Sequence, residues 1–104
     1  MSYNINNVFS ALADEHRRNM LLLLSKGSKN VNGIAEHFKI SRPAVSKHLK
    51  ILKRSNLVQI KKEGRNRYFS LNPKPMKGVI DWLKFYEKFW NEKLDSLQNF
   101  LEKK

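Results

Sequence analysis

The chain has 104 residues, enough for one packed domain and too few for two independent cores. At 40% hydrophobic and 11% aromatic residues it can bury a core, and with no cysteine it has no disulfide, thiolate metal site or cysteine nucleophile. Its 21 basic residues against 9 acidic ones give a net charge of +12, which favours a polyanionic partner.

In chain order, Val8, Phe9 and Leu12 mark a short first helix. Asp14 is the expected N-cap of a second helix, with Glu15 in its first turn and an end near Lys26-Gly27. The run from Met20 to Leu24 is apolar all round, as expected of a helix buried at the centre of a bundle. It is also the longest apolar run, too short for a signal core or a membrane span, so a soluble cytoplasmic protein is expected. Asn32 is expected to cap a short third helix with Ile34, Ala35 and Phe38 inward, and Lys39-Ile40 to make a tight turn.

Ser41 then caps a fourth helix, with Pro43 in the first turn, where a missing N–H costs nothing. Val45, His48, Leu49 and Leu52 recur at helical spacing as its inward stripe. Arg42, Ser46, Lys47, Lys50 and Lys53 are left on the opposite arc with no acid to balance them. After Asn56 the segments LVQIKK and RYFSL read as strands, joined at Glu63-Gly64-Arg65-Asn66, where Gly and Asn tolerate positive φ. Asn72-Pro73-Lys74-Pro75 breaks the chain before a long last helix.

This order defines a mainly α fold with a β-hairpin wing, a winged helix-turn-helix. One domain is expected over residues 1–104, with the helix-turn-helix at about 32–54, the wing at about 57–71 and a C-terminal dimerisation helix at about 76–102. The charge concentrates on it. Between residues 41 and 67 stand Arg42, Lys47, Lys50, Lys53, Arg54, Lys61, Lys62, Arg65 and Arg67 against Glu63 alone, a net of +8. Such a helix fits the major groove of duplex DNA. Arg42 is expected to read guanine, Ser46 to bond a base or phosphate, and Lys47, Lys50 and Lys53 to hold phosphates. Arg65 and Arg67, flanking Asn66, are expected to meet the backbone or a minor groove.

The run Ser41-Arg-Pro-Ala-Val-Ser-Lys-His-Leu-Lys-Ile-Leu52, after Leu12-Ala-Asp-Glu-His-Arg-Arg18 and before Gly64-Arg-Asn-Arg-Tyr68, resembles the ArsR/SmtB-type (arsenic-repressor-like) winged-helix repressors. The match spans roughly residues 7–72 and, more loosely, the last helix. The resemblance implies a homodimer that binds a palindromic operator in double-stranded DNA, often its own promoter, and releases it on a signal. It places the reading positions at Arg42, Pro43, Ser46 and Lys47. Two positions depart from the family. Lys39 stands where Gly is usual, which would cost about 1–2 kcal/mol in a left-handed backbone, and Glu15 stands where Pro is common.

Many relatives sense metals through a cysteine pair or through His on the last helix. This chain has no cysteine and no His after His48, and His16, His37 and His48 lie on three helices without ligand spacing. No metal and no cofactor are expected, as in the branch lacking metal-binding cysteines. An effector, small molecule or protein, is left unidentified. Nor is there a phosphate loop, nucleophile elbow or paired His and carboxylate, so no enzyme is expected.

On the last helix Leu83, Tyr86, Trp90, Leu94, Leu97 and Leu101 form one apolar stripe, which Trp82, Phe85, Phe89 and Phe100 broaden. Two-fold pairing with a copy of itself is the simplest cover, with Trp82, Leu83, Tyr86, Phe89, Trp90, Leu94, Leu97 and Leu101 at the contact. Part of the face also meets the first helix. The alternative is a basic nucleic-acid-binding or architectural protein that ignores sequence.

Overall fold

A computed structural model describes residues 3–103. Five helices and one hairpin follow in the expected order. Helix α1 is Ile5–Leu12, α2 is Glu15–Leu24, α3 is Val31–Ala35 and α4 is Arg42–Arg54. Strands β1 (Val58–Glu63) and β2 (Asn66–Leu71) form the hairpin, and α5 is Met76–Glu102.

Each of the first four helices starts at a polar cap. Asn4 accepts from the N–H groups of Asn6 and Asn7, Asp14 from Arg17, and Ser41 from Ala44. Helix α3 starts earlier than expected. Asn30, not Asn32, is the cap, and its Oδ1 accepts from Gly33 N–H at 2.8 Å. The reason lies upstream. Lys29 exchanges two backbone hydrogen bonds with Phe69 on β2, at 3.1 and 2.8 Å, which holds the chain extended up to residue 30.

The core joins Val8 and Ala11 of α1, Met20 and Leu24 of α2, Ile34 of α3, Val45, Leu49 and Leu52 of α4, and Leu57, Val58, Phe69 and Val79. The expectation for Met20 to Leu24 needs correcting. Met20 and Leu24 are buried, Leu21 and Leu23 half-buried, and Leu22 is 65% exposed, so one side of α2 is left to solvent. Lys39 carries no left-handed strain, since among the described residues Asn56 is the one non-glycine with positive φ, at 62°. Asn56 sits just past the end of α4, where Asn tolerates this conformation. Its carbonyl accepts from Asn72 Nδ2 at 2.8 Å, and Asn72 N–H donates to Leu57 O at 2.9 Å, which ties the two ends of the hairpin together.

The strands pair antiparallel from Val58 with Leu71 to Glu63 with Asn66. The turn is therefore Gly64-Arg65 alone, with positive φ at Gly64 (61°) and not at Arg65 or Asn66. A two-residue turn with Gly first matches the twist of the strands and holds the wing tip in one direction.

Helix α5 starts among Pro75, Met76 and Val79 and packs on α1, with the Phe9 and Trp82 rings 5.6 Å apart edge to face. It then leaves the core. The radius of gyration is 18.1 Å, against about 13 Å for a compact chain of this length. The longest extent, 66 Å, is set by this protruding rod.

Candidate nucleic-acid interface

Helix α4 turns its apolar stripe inward. Val45, Leu49 and Leu52 are buried, and His48 sits at their edge. Arg42, Pro43, Ser46, Lys47, Lys50 and Lys53 are all exposed on the other side, and so are Arg65, Asn66 and Arg67 on the hairpin. None of these bases has an acidic partner among the described residues. The one acid of the region, Glu63, faces Lys61 at 3.6 Å.

Two hollows bring the residues of α4 and the wing together. One, of about 370 Å³, is lined by Ser46, Lys50 and Lys53 of α4, Ile60, Arg67 and Phe69 of the hairpin, and Val31 and Leu49 beneath. The other, of about 210 Å³, gathers Arg42, Arg65, Asn66 and Arg67 above Asn30, Val31 and Asn32 at the start of α3. Three guanidinium groups from two elements thus rim one recess. Pro43 and Lys47 are exposed but line neither hollow. Asn30 and Asn32 were not singled out in the sequence as site residues. The signal available was a pair of Asn residues beside a helix start, which is common in any loop.

Arg42 occupies the first position of α4. A cation there opposes the helix dipole, whereas Lys53 and Arg54 in the last turn complement it. The start of α4 and its Arg42 together suit an anion better than they suit each other.

Behind the helix, a polar cluster holds α4 to the bundle. Arg17 donates from Nε to Ala11 O at 2.8 Å and from Nη2 to Ser10 O at 3.1 Å, and its Nη1 lies 3.3 Å from His48 Nδ1. Asp14 Oδ1 lies 3.9 Å from the same Nδ1. The two contacts exclude each other. To accept from Arg17, Nδ1 must be unprotonated, and then it has nothing to give Asp14; the shorter distance favours the bond to Arg17. The backbone N–H of Arg17 holds the Asp14 carboxyl below the usual range. Partial burial opposes this, and the Arg17 charge adds to it. The His16 ring lies tilted against His48 at 5.6 Å and edge to face with Phe38 at 6.1 Å. Two of the three histidines are therefore packing neighbours, and among the described residues no three His, Asp or Glu side chains gather to hold a metal ion.

The second expected surface is on α5. Trp82, Leu83, Tyr86, Phe89, Trp90, Leu94, Leu97 and Leu101 are all exposed, as are Phe85 and Phe100, at 76% and 75%. Their rings touch one another along the rod, Trp82 tilted against Tyr86 at 4.9 Å and Phe89 edge to face with Trp90 at 5.4 Å. Lys93 Nζ lies 5.5 Å from the Phe89 ring centroid. No helix is long and apolar enough to cross a membrane among the described residues.

A capped helix with a bare cationic face, a hairpin wing beside it and a helical bundle behind it define a winged helix-turn-helix DNA-binding regulator. Comparison with known proteins gives the family. Residues 14–59 match the model of "Bacterial regulatory protein, arsR family". The chain is 42% identical over 79 residues to the transcriptional repressor SdpR of Bacillus subtilis, covering 76% of this chain and 88% of that one. It is 33% identical over 81 residues to the arsenical resistance operon repressor of Staphylococcus aureus, covering 77% and 78%. An ArsR-like transcriptional regulator from Rhodococcus superposes with a TM-score of 0.77 at 26% identity, over 96% of this chain and 92% of that one. The chain belongs to the ArsR family of transcriptional regulators.

Proposed function

We propose that this chain acts as a homodimeric repressor of transcription that reads a palindromic operator in duplex DNA, its own promoter included. The observation that carries this reading is the pairing of two unmet surfaces on one small protein. One is the acid-free basic face of α4 and the wing; the other is the apolar face of α5. Two copies joined along α5 present two reading helices, and a two-fold protein reads two half-sites one helical turn, about 34 Å, apart. The repressors it resembles support the sign of the effect.

Within each half-site, Ser46 faces the major groove, and Lys47, Lys50 and Lys53 along the same face hold phosphates. Arg42 keeps its proposed contact with guanine, and its place beside Arg65, Asn66 and Arg67 lets the same recess grip the adjoining backbone. The 104 residues work as one unit in the cytoplasm, on the nucleoid when bound, and carry out no catalysis.

Selection of bound sequences from random duplex DNA, with sedimentation of the free protein at micromolar concentration, tests this. The expected result is a dimer and an inverted repeat, with the selected site held about 10³-fold or more tighter than scrambled DNA at physiological salt. Placed upstream of a reporter, that site lowers expression when the protein is present. Equal grip on selected and scrambled DNA returns the chain to the sequence-blind architectural class. A stable monomer removes the two-fold reading.

A further inference from the structure

We propose that Arg17 is a positioning residue that fixes the direction of α4 relative to α5, and thereby the half-site spacing that a dimer accepts. This rests on the homodimeric reading above. Arg17 spans three elements from the first turn of α2. Its Nε and Nη2 hold the carbonyls of Ala11 and Ser10 at the end of α1, and its Nη1 reaches His48 in the middle of α4. Helix α1 in turn is the support of α5, through Phe9 against Trp82. One polar connection from the assembly rod to the reading helix therefore runs through this guanidinium group.

The geometry gives that group a job that core packing does not do. Helix α4 meets α1 through polar groups at two places. One is His48 through Arg17; the other is Ser55, buried against α1 with its Oγ 3.3 Å from Asn7 O, its single hydrogen shared with Ile51 O at 2.9 Å. The two are seven residues, about 10 Å, apart along the helix axis. Two fixed points set a direction, and one leaves a pivot. Val45, Leu49 and Leu52 keep α4 on the core, but packed helices tolerate about 15–20° of scatter in crossing angle. Arg42 is thirteen residues from Ser55, about 20 Å, so a swivel of only ~5° at Ser55 carries it nearly 2 Å, enough to lose a base edge. In a dimer the error is made twice, in opposite senses, and appears as a change in the distance between the two reading helices.

The bond also has a chemical condition. His48 Nδ1 accepts from Arg17, so the ring proton resides on Nε2. Lysine cannot substitute fully, since a single ammonium does not reproduce the planar fork that meets two carbonyls and an imidazole at once.

The test uses the full chain on the selected operator and on versions with one base pair added to or removed from the spacer. The wild type is expected to prefer the native spacing by about tenfold or more. Arg17→Ala keeps the dimer, the helical signal and the salt-dependent grip on scrambled DNA, while its preference among spacers falls to within about twofold. His48→Ala behaves alike, and the double variant loses no more than either one, because both break the same connection. Arg17→Lys, the milder change for folding, lowers the spacing preference as well. A uniform loss of affinity at every spacing in Arg17→Ala and Arg17→Lys overturns the proposal and leaves Arg17 a stabiliser only. So do effects of Arg17→Ala and His48→Ala that simply add. A wild-type chain that is monomeric, or blind to sequence, overturns the homodimeric reading itself, and this one with it.

Discussion

Helices α4 and α5 are both amphipathic, and they leave opposite faces bare. Helix α4 hides Val45, Leu49 and Leu52 inside its own chain and shows solvent a row of bases. Helix α5 buries only Val79 and shows solvent eleven large apolar side chains between Ile80 and Leu101. Its own charges nearly cancel, four basic (Lys77, Lys84, Lys88, Lys93) against five acidic (Asp81, Glu87, Glu92, Asp95, Glu102). A bare charged face is stable in water and waits for a partner at little cost. A bare apolar face of this length is not, since monomers rarely leave contiguous apolar patches beyond a few hundred Å² uncovered. The two helices therefore suit partners of different kinds, a polyanion for α4 and an apolar surface for α5.

That contrast can be broken at either side. The largest effect is expected on α5. Leu94→Asp with Leu97→Asp places two charges in the middle of the apolar stripe and should weaken self-association by at least ~3 kcal/mol, over 100-fold. Sedimentation then gives monomers at concentrations where the wild type is paired, while scrambled DNA is still bound through α4. If operator binding survives unchanged in such monomers, the two faces serve independent purposes.

On α4 the expected effects are smaller and differ in kind. Arg42→Ala should cost about 1–3 kcal/mol on the selected operator and relax preference at one position of each half-site. Lys50→Ala should weaken all sequences similarly and reduce the slope of binding against salt by about one unit. Binding measured across a salt series on selected and scrambled duplexes separates the two. Identical profiles for both variants would mean that Arg42 only grips backbone in its recess beside Arg65 and Arg67.

A smaller effect belongs to the support behind α4. Asp14→Ala removes the cap of α2 and should lower stability by about 1 kcal/mol at neutral pH in urea titration. The pH dependence follows from the lowered carboxyl pKa, which comes chiefly from the Arg17 backbone N–H. A group with a lower pKa folded than unfolded stabilises the fold fully above its unfolded value, ~3.9, and loses that contribution as pH falls through the folded value. Asp14→Asn keeps an acceptor at the cap and should flatten this acid-side decline below about pH 4. The smallest effect is at Lys39. With no positive φ there, Lys39→Gly relieves nothing and should cost about 0.5–1 kcal/mol through the freer unfolded chain.

Most elements could be read from local signals. Ser41 before Arg-Pro, the apolar spacing of Val45, Leu49 and Leu52, and the Pro-flanked break at residues 72–75 each act within a few residues, and each stands where expected. The misreadings involve distant parts of the chain. Asn30 and Asn32 are equally good caps on paper, and the choice is made by Lys29 bonding to Phe69, forty residues away. Whether Leu22 is covered depends on where α2 lies in the bundle, which periodicity does not specify. The basic residues of the candidate site were legible from their imbalance. Their grouping was not, because the recess joining Arg42 to Arg65 and Arg67 exists only once the two-residue turn aims the hairpin back over α3. Arg17 carried no signal beyond a place in a familiar stretch.

The bare apolar face of α5 has a consequence at low protein concentration. A single copy exposes Trp90 and its neighbours to water until they meet a partner. On the homodimeric reading, the melting temperature rises with protein concentration. Synthesis rate then joins any inducing signal in setting how fully the promoter is occupied.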